Sequence, residues 1–276
     1  MDNYLDAAIE IAREAGQVLM AHRGVGFELK GDFDLVTAAD HASEHLIMER
    51  LTQRFPRHGI VAEEGGRAEM GADLRWYVDP LDGTTNFAHG FPMWNVTLAL
   101  AKKDEVIVGV VYDPLNRELF TAERGAGARC NGAPIHVSKA RTLSDSLVAT
   151  GFPSRKRHQN VNIHFYYQLA MISHGVRRGG SAAIDLAYTA AGRLDGFWEF
   201  GLNPWDMAAG TLLIEEAGGK VSGMRGEQLD LQGKYVFGSN GLIHQEALDL
   251  FDQIFAGRYQ NELPGLPSPE WELQRG

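Results

Sequence analysis

One cysteine, Cys130, occurs in the 276 residues, so no disulfide can form within the chain and a reducing, cytoplasmic setting is expected. Long apolar runs are missing too. Nothing approaches the ~20 residues that span a bilayer, so no membrane partner is expected. The N-terminal stretch MDNYLDAAIEIAREAGQVLMAHR carries Asp6, Glu10, Arg13 and Glu14 where a signal-peptide core would be apolar. Positive charge is also scarce. Against 36 Asp and Glu stand 26 Lys and Arg, a formal net charge of −10, which disfavours nucleic acid and anionic membrane as partners. Such a chain can still bind phosphate esters where metal ions screen its carboxylates. Several catalytic signatures are absent: a G-x-x-x-x-G-K-[ST] loop, a G-x-S-x-G elbow, a dinucleotide glycine fingerprint and a D-x-D-x-T aspartyl nucleophile.

What is present reads as a globular enzyme, with 44% hydrophobic and 22% charged residues. Leu5, Ala8, Ile9, Ala12, Ala15 and Leu19 share one helical face, predicting a helix over 3–22. A second helix is expected from Asp40 to Phe55, with the Gly31–Asp34 stretch between them as a turn-rich loop. Short strands at 59–62 and 76–78 end in acidic residues, and residues 94–123 alternate as a β-meander. Helical signals return near 159–173. Ser181 caps a helix that Gly192 ends, and Trp205–Ala217 forms another. A strand at 193–200, strands near 219–223 and 235–238, and a helix over 243–256 complete the pattern. We expect an α+β or α/β protein of two halves sharing one cleft. The N-terminal half is 1–150 and the C-terminal half 151–256, and 257–276 is an extension without core character.

The segment WYVDPLDGTTNF, residues 76–87, concentrates the chemistry. Pro80 fixes its own φ and keeps Asp79 extended. Asp79, Asp82 and the Leu81 carbonyl then form a hard oxygen site of the kind Mg2+ prefers. Gly83, Thr84 and Thr85 would begin a helix whose hydroxyls and N–H groups face an anion. Metal ligands beside an anion cradle read as phosphate chemistry. The bland alternative makes Asp82 a helix cap and leaves Asp79 exposed. Five fixed residues of DPLDGT at ~5% each occur by chance in about one such chain in ten thousand, which weighs against it.

The chain resembles the inositol monophosphatase family of Mg2+-dependent, lithium-sensitive phosphatases. The likeness runs over about residues 1–255 and is carried by VAEEG at 61–65, WYVDPLDGTTNF and NPWDMAAG at 203–210. It implies a layered α/β/α/β/α sandwich, a homodimer and two to three Mg2+ ions. By the resemblance, Glu63, Asp79 and the Leu81 carbonyl hold one ion, while Asp79, Asp82 and Asp206 hold a second. Glu63 also reaches a third. Thr84 orients the attacking water, and Asp40 accepts the threonine proton. Gly83, Thr84 and Thr85 cradle the phosphate. Gly180, Ser181, Ala182 and Glu199 line the alcohol side, with Asp206 adjoining the substrate. The implied substrate is an inositol monophosphate. Sugar phosphates, fructose 1,6-bisphosphate, histidinol phosphate and NADP are cleaved by related branches, but Thr85-Asn86-Phe87 matches the inositol branch. A non-enzymatic regulatory protein on the same fold remains the rival reading.

Each assignment has a plainer counterpart. Asp206 and Ser181 stand where helix caps stand, Glu199 reads equally as a surface carboxylate, and Lys30 as a solvated lysine. Arg177 and Arg178 suit either a substrate phosphate or packing. His41-Ala-Ser-Glu44-His45 matches a zinc-protease pattern but lacks a third ligand, so an exposed helix face is expected. Cys130 is expected to be a buried small hydrophobe.

Overall fold

The structure, a computed structural model, describes residues 3–265 apart from 25, 32–33, 66, 69–71, 153–159 and 234. The side chains of 27, 29–31, 34–35 and 67–68, Lys30 among them, also lie outside the description. Among the described residues the strands form a hairpin, an eight-stranded sheet and a five-stranded sheet.

Helix α1 (Tyr4–Ala21) begins at Asn3, whose side chain accepts from Asp6 N. A hairpin follows, β1 (Phe27–Gly31) with β2 (Asp34–Thr37), where the sequence suggested only a loop; its turn, 32–33, is outside the described residues. Helix α2 (Ala38–Arg54) starts two residues before the expected Asp40. The reason is a capping box. Thr37 accepts from the N–H groups of Ala39 and Asp40, and the Asp40 carboxylate takes the Thr37 N–H.

The larger sheet is built from β3 (Gly59–Ala62), β4 (Arg67–Ala68), β5 (Leu74–Asp82), β6 (Asn95–Lys102), β7 (Glu105–Asp113), β8 (Glu118–Glu123), β9 (Ala128–Cys130) and β10 (Ala133–Pro134). Its order is β10-β9-β8-β7-β6-β5-β3-β4. Short α3 (Thr84–His89) lies between β5 and β6. The smaller sheet contains β11 (Leu147–Thr150), β12 (Gly175–Arg177), β13 (Gly196–Phe200), β14 (Lys220–Ser222) and β15 (Tyr235–Ser239), in the order β12-β11-β13-β15-β14. Helices α4 (Asn162–Ile172), α5 (Ala182–Ala190), α6 (Pro204–Glu216) and α7 (His244–Phe255) complete the chain.

Side-chain alternation sorts these elements into layers. On β5 and β6, Trp76, Val78, Val96 and Leu98 join Ile11, Leu19, Ile47 and Leu51 of α1 and α2. Tyr77, Ala99 and Ala101 point the other way, into a core shared with α5, α6 and the Ala149, Phe197 and Val236 face of the smaller sheet. Val148, Trp198 and Phe237 form that sheet's outer face, under Phe165 of α4 and Phe251 of α7. The sequence of layers is therefore α/β/α/β/α, and the central helices α5 and α6 touch both sheets. Beyond α7 the chain turns back along α4. The buried Gln168 amide bonds both the N–H and the carbonyl of Asn261, and His164 stacks on Tyr259 with centroids 5.4 Å apart. No helix among the described residues is long and apolar enough to cross a membrane.

Candidate active site

The DPLD segment is a bulge within β5, not the end of a strand. Asp79 pairs with Thr97 and Asp82 with Asn95, so Pro80 and Leu81 of β5 stand opposite the single residue Val96 of β6. Residues 95 and 97 share a face, and cross-strand partners share it too. The bulge thereby turns Asp79 and Asp82, which ordinary alternation would set on opposite faces, toward α5 and α6. Pro80 fits at this point because a bulge leaves a ladder N–H unneeded. Gly83 follows with φ 91°, and a Cβ there would lie 2.9 Å from Met93 O. Only glycine allows so sharp an exit into α3.

Neighbouring elements bring further acids to the same region. The parallel register of β3 and β5 ends at Ala62 beside Val78, and Glu63 N donates to Val78 O at 3.2 Å, which carries Glu63 beside Asp79. Asp206 enters from the first turn of α6. It is indeed a cap, since its Oδ2 accepts from Asn203 N at 2.7 Å, which leaves Oδ1 outside that bond. Asp79 Oδ1 accepts from Leu81 N at 3.0 Å. Asp82 Oδ2 takes three bonds: Ser181 Oγ at 2.6 Å, Ala183 N at 2.9 Å and Asn95 Nδ2 at 3.0 Å. Asp82 thus bonds the start of α5, not α3, where no side-chain cap bond occurs.

Electrostatically the group is strained. Burial holds the Asp79 carboxyl well above the usual carboxylate range, and the charges of Glu63, Asp82 and Asp206 push it further. Asp206 is raised by burial and by Glu63, against the opposing Asn203 N–H. Asp82 is raised by burial, which its bonds from Ser181, Ala183 and Asn95 partly offset. Among the described residues no lysine or arginine forms an ion pair with Asp79, Asp82 or Asp206. Nor, among those residues, does any set of three or more His, Cys, Asp or Glu close about one point. Beyond the cost of burial, the like charges of Glu63, Asp82 and Asp206 repel Asp79. The donors are hard oxygens, each aspartate has one oxygen tied back to the chain, and a divalent cation would relieve the repulsion. This chemistry fits Mg2+.

Asp40, fully buried, faces the same turn. Its Oδ2 accepts from Thr37 N and Thr37 Oγ1, and its Oδ1 accepts from Thr84 Oγ1 at 3.0 Å. Thr84 Oγ1 also lies 3.0 Å from Leu81 O. Thr85 is exposed beside it.

On the opposite side, Gly180, Ser181 and Ala182 lead into α5. Ser181 both caps that helix, accepting from Ile184 N at 3.4 Å, and donates to Asp82. Glu199 is no surface carboxylate: it is 8% exposed at the end of β13. Burial, then Asp185 and Asp82, raise its carboxyl well above the ordinary range, with Arg178 opposing. His41 and His45 are both exposed. Cys130 is half-buried instead of buried, because β9 lies near the sheet edge.

Sequence reasoning assigned no place in the site to three polar residues and one glycine. Asn86, Asn95 and Asp185 are buried and reach this site, and Gly151 lies under the Glu199 carboxylate. The Thr37–Asp40 capping box was the signal available for Asp40. No periodicity marks the other four.

A sequence profile described as the inositol monophosphatase family matches residues 1–255. An inositol-1-monophosphatase of Synechocystis sp. is 44% identical over 251 residues, 89% of this chain and 88% of that protein. The Nus factor SuhB of Escherichia coli is 41% identical over 261 residues, 92% of this chain and 98% of its own length. The solved inositol monophosphatase from Anabaena (Nostoc) sp. superposes with a TM-score of 0.84 at 42% identity, covering 91% of this chain and 95% of that one.

Proposed function

The chain belongs to the inositol monophosphatase family and is a phosphoric monoester hydrolase, and from that premise we propose that it hydrolyses an inositol monophosphate with Mg2+. The observation that carries the metal-dependent reading is the buried Asp79 carboxyl, pushed up by burial and by the charges of Glu63, Asp82 and Asp206, with no lysine or arginine among the described residues paired to Asp79, Asp82 or Asp206. Glu63, Asp79, Asp82, Asp206 and the Leu81 carbonyl would hold two to three ions. When bound, Mg2+ supplies acidification of water and charge neutralisation at the phosphate.

The chain's own residues do the positioning. Asp40, by accepting the hydrogen bond that the Thr84 hydroxyl donates, leaves the Thr84 oxygen lone pairs to accept a hydrogen bond from the attacking water and orient it, while Glu63 serves as the acidic group on the water's other side. Gly83, Thr84 and Thr85 cradle the phosphate oxygens, so that the water, phosphorus and leaving oxygen lie in line. Gly180, Ser181, Ala182 and Glu199 face the alcohol, with Asp206 beside the leaving oxygen. Halves 1–150 and 151–256 share this cleft in our reading, with 257–276 as an extension.

Lithium sensitivity, a cytoplasmic setting and a homodimer belong to the same proposal. The lone Cys130 supports the setting, and Phe91, Ile163 and Met171, each 52–53% exposed, support a subunit contact. The relatives named Nus factors raise a regulatory rival, acting through protein or nucleic acid contacts. Retention of Glu63, Asp79, Asp82, Thr84 and Asp206 favours catalysis here.

Phosphate release from inositol, sugar, histidinol and nucleotide monophosphates tests the proposal. Turnover of the inositol ester is expected with Mg2+ and not in EDTA, with inhibition by millimolar Li+. Full turnover in EDTA, or preference for another ester class, overturns the metal or the substrate assignment respectively.

A further inference from the structure

The phosphate-binding turn and the loop at 179–183 come from opposite halves of the sequence, and two fastenings join them. One is the Asp82 carboxylate, bonded to Ser181 Oγ and Ala183 N. The other is neutral. Asn86 Nδ2 donates to Met93 O at 2.7 Å, to Gly179 O at 3.0 Å, and more distantly to Gly180 O at 3.4 Å. One amide hydrogen serves Met93 while the second is shared by the two glycine carbonyls. Asn86 is 8% exposed, so its own amide has little recourse to water and takes its partners from these carbonyls.

Two close approaches confirm how tightly the loop is seated. At Gly180, φ is 88°, and a Cβ would lie 3.1 Å from Asn86 Nδ2 and 3.2 Å from its Oδ1. At Gly179, a Cβ would come within 2.3 Å of Met93 Cε. Met93 O in turn sits 2.9 Å from where Gly83 would carry a Cβ. The Asn86 amide therefore touches both ends of the arrangement: the carbonyl that closes over the turn at Gly83, and the glycines that lead to Ser181.

We propose that Asn86 is a positioning residue that holds the 179–182 backbone in register with the phosphate-binding turn and so sets which alcohols are accepted. This rests on the reading of Gly180, Ser181 and Ala182 as the alcohol side of the site. Asn86 does not titrate, so its fastening persists whatever the charge of Asp82. Loss of the amide leaves Asp82 bonded to Ser181 but frees Gly179 and Gly180 to shift. Contacts to the alcohol suffer, and contacts to the phosphate do not.

The test uses Asn86→Asp and Asn86→Ala in the full chain. Aspartate keeps the size but sets a negative oxygen against three carbonyls; alanine removes the donor without the repulsion. Hydrogen exchange in Mg2+ without ester should show amides of 180–183 losing protection in both variants, while Mg2+ affinity by calorimetry stays at the wild-type value. With the ester the wild-type chain cleaves best, KM should rise about tenfold, whereas kcat for an aryl phosphate, which makes no polyol contacts, should change less than about threefold. Unchanged exchange at 180–183, or equal losses on aryl and polyol esters, overturns the inference. If Asn86→Asp fails to fold, Asn86→Ala decides by the same readouts. A wild-type chain that prefers a non-inositol ester refutes the substrate assignment and leaves the exchange result standing on its own.

Discussion

The Thr84 hydroxyl lies 3.0 Å from Asp40 Oδ1 across a sequence separation of 44 residues, and the other oxygen of Asp40 is occupied by Thr37. Asp40 therefore accepts at both ends and cannot turn. Asn in its place would keep one oxygen for Thr37 and present an NH2 group to Thr84, which reverses the hydroxyl. Asp40→Asn is expected to lower kcat about 10²-fold with KM little changed. Stability should fall by about 1 kcal/mol as the capping box weakens. Steady-state kinetics and urea unfolding check both parts, and an unaltered kcat removes Asp40 from the proton path.

Asp82 separates metal binding from folding. Its three bonds all end on Oδ2, so Asn can reproduce them with its carbonyl oxygen and turn its NH2 toward the cation. Asp82→Asn should lower kcat by about three orders of magnitude with the fold intact. The raised carboxylates of Asp79 and Asp206 bind protons in the folded chain that the unfolded chain has already lost. Without metal, stability should accordingly fall as pH rises above the ordinary carboxylate range. In EDTA at neutral pH the variant should melt above the wild type, and Mg2+ should raise the wild-type melting temperature more. A variant that melts lower in EDTA would show that repulsion is not what Asp82 contributes.

Much of this was legible in the sequence because it is local. Apolar spacing at Leu5, Ala8, Ala12 and Leu19 gives α1, and Asp79-Pro-Leu-Asp-Gly carries its turn chemistry within five residues. The face on which Asp79 and Asp82 meet was not legible, since it depends on a bulge defined by pairing with β6. The hairpin β1–β2 was missed because short strands around Gly31 look like loop. The roles of Asn86, Asn95 and Gly151 were not legible for another reason: they depend on Gly179 and Gly180, on Ser181 and on Glu199, which lie far along the chain.

Gly151 makes room for Glu199. A Cβ at Gly151 would lie 2.0 Å from Glu199 Oε2 and 2.2 Å from its carboxyl carbon. The backbone cannot yield, because Asn162 Nδ2 bonds Gly151 O at 2.7 Å and Asn162 Oδ1 accepts from Trp198 Nε1 at 2.6 Å. The flexible carboxylate must move instead. Gly151→Ala should raise KM for polyol esters about as much as Glu199→Gln does, with Mg2+ affinity unchanged and stability lowered by about 1 kcal/mol. A wild-type ester profile in Gly151→Ala would place Glu199 outside alcohol recognition.

His244 links the start of α7 to the smaller sheet and makes stability depend on pH. Its Nε2 and Nδ1 each lie 2.9 Å from a serine hydroxyl, Ser222 and Ser239, and its ring stacks on Phe237 with centroids 4.5 Å apart. Burial, with a smaller push from Lys220, lowers its pKa from 6.5 to about 4. Between these values the unfolded chain holds a proton that the folded chain refuses. The His244 contribution is therefore complete above the unfolded value and is lost as pH falls toward 4, a total of about 3 kcal/mol. Urea unfolding of the wild type and His244→Gln across this window should show the two differing most near neutrality and converging in acid. A constant difference at every pH would mean that the histidine contributes through packing alone.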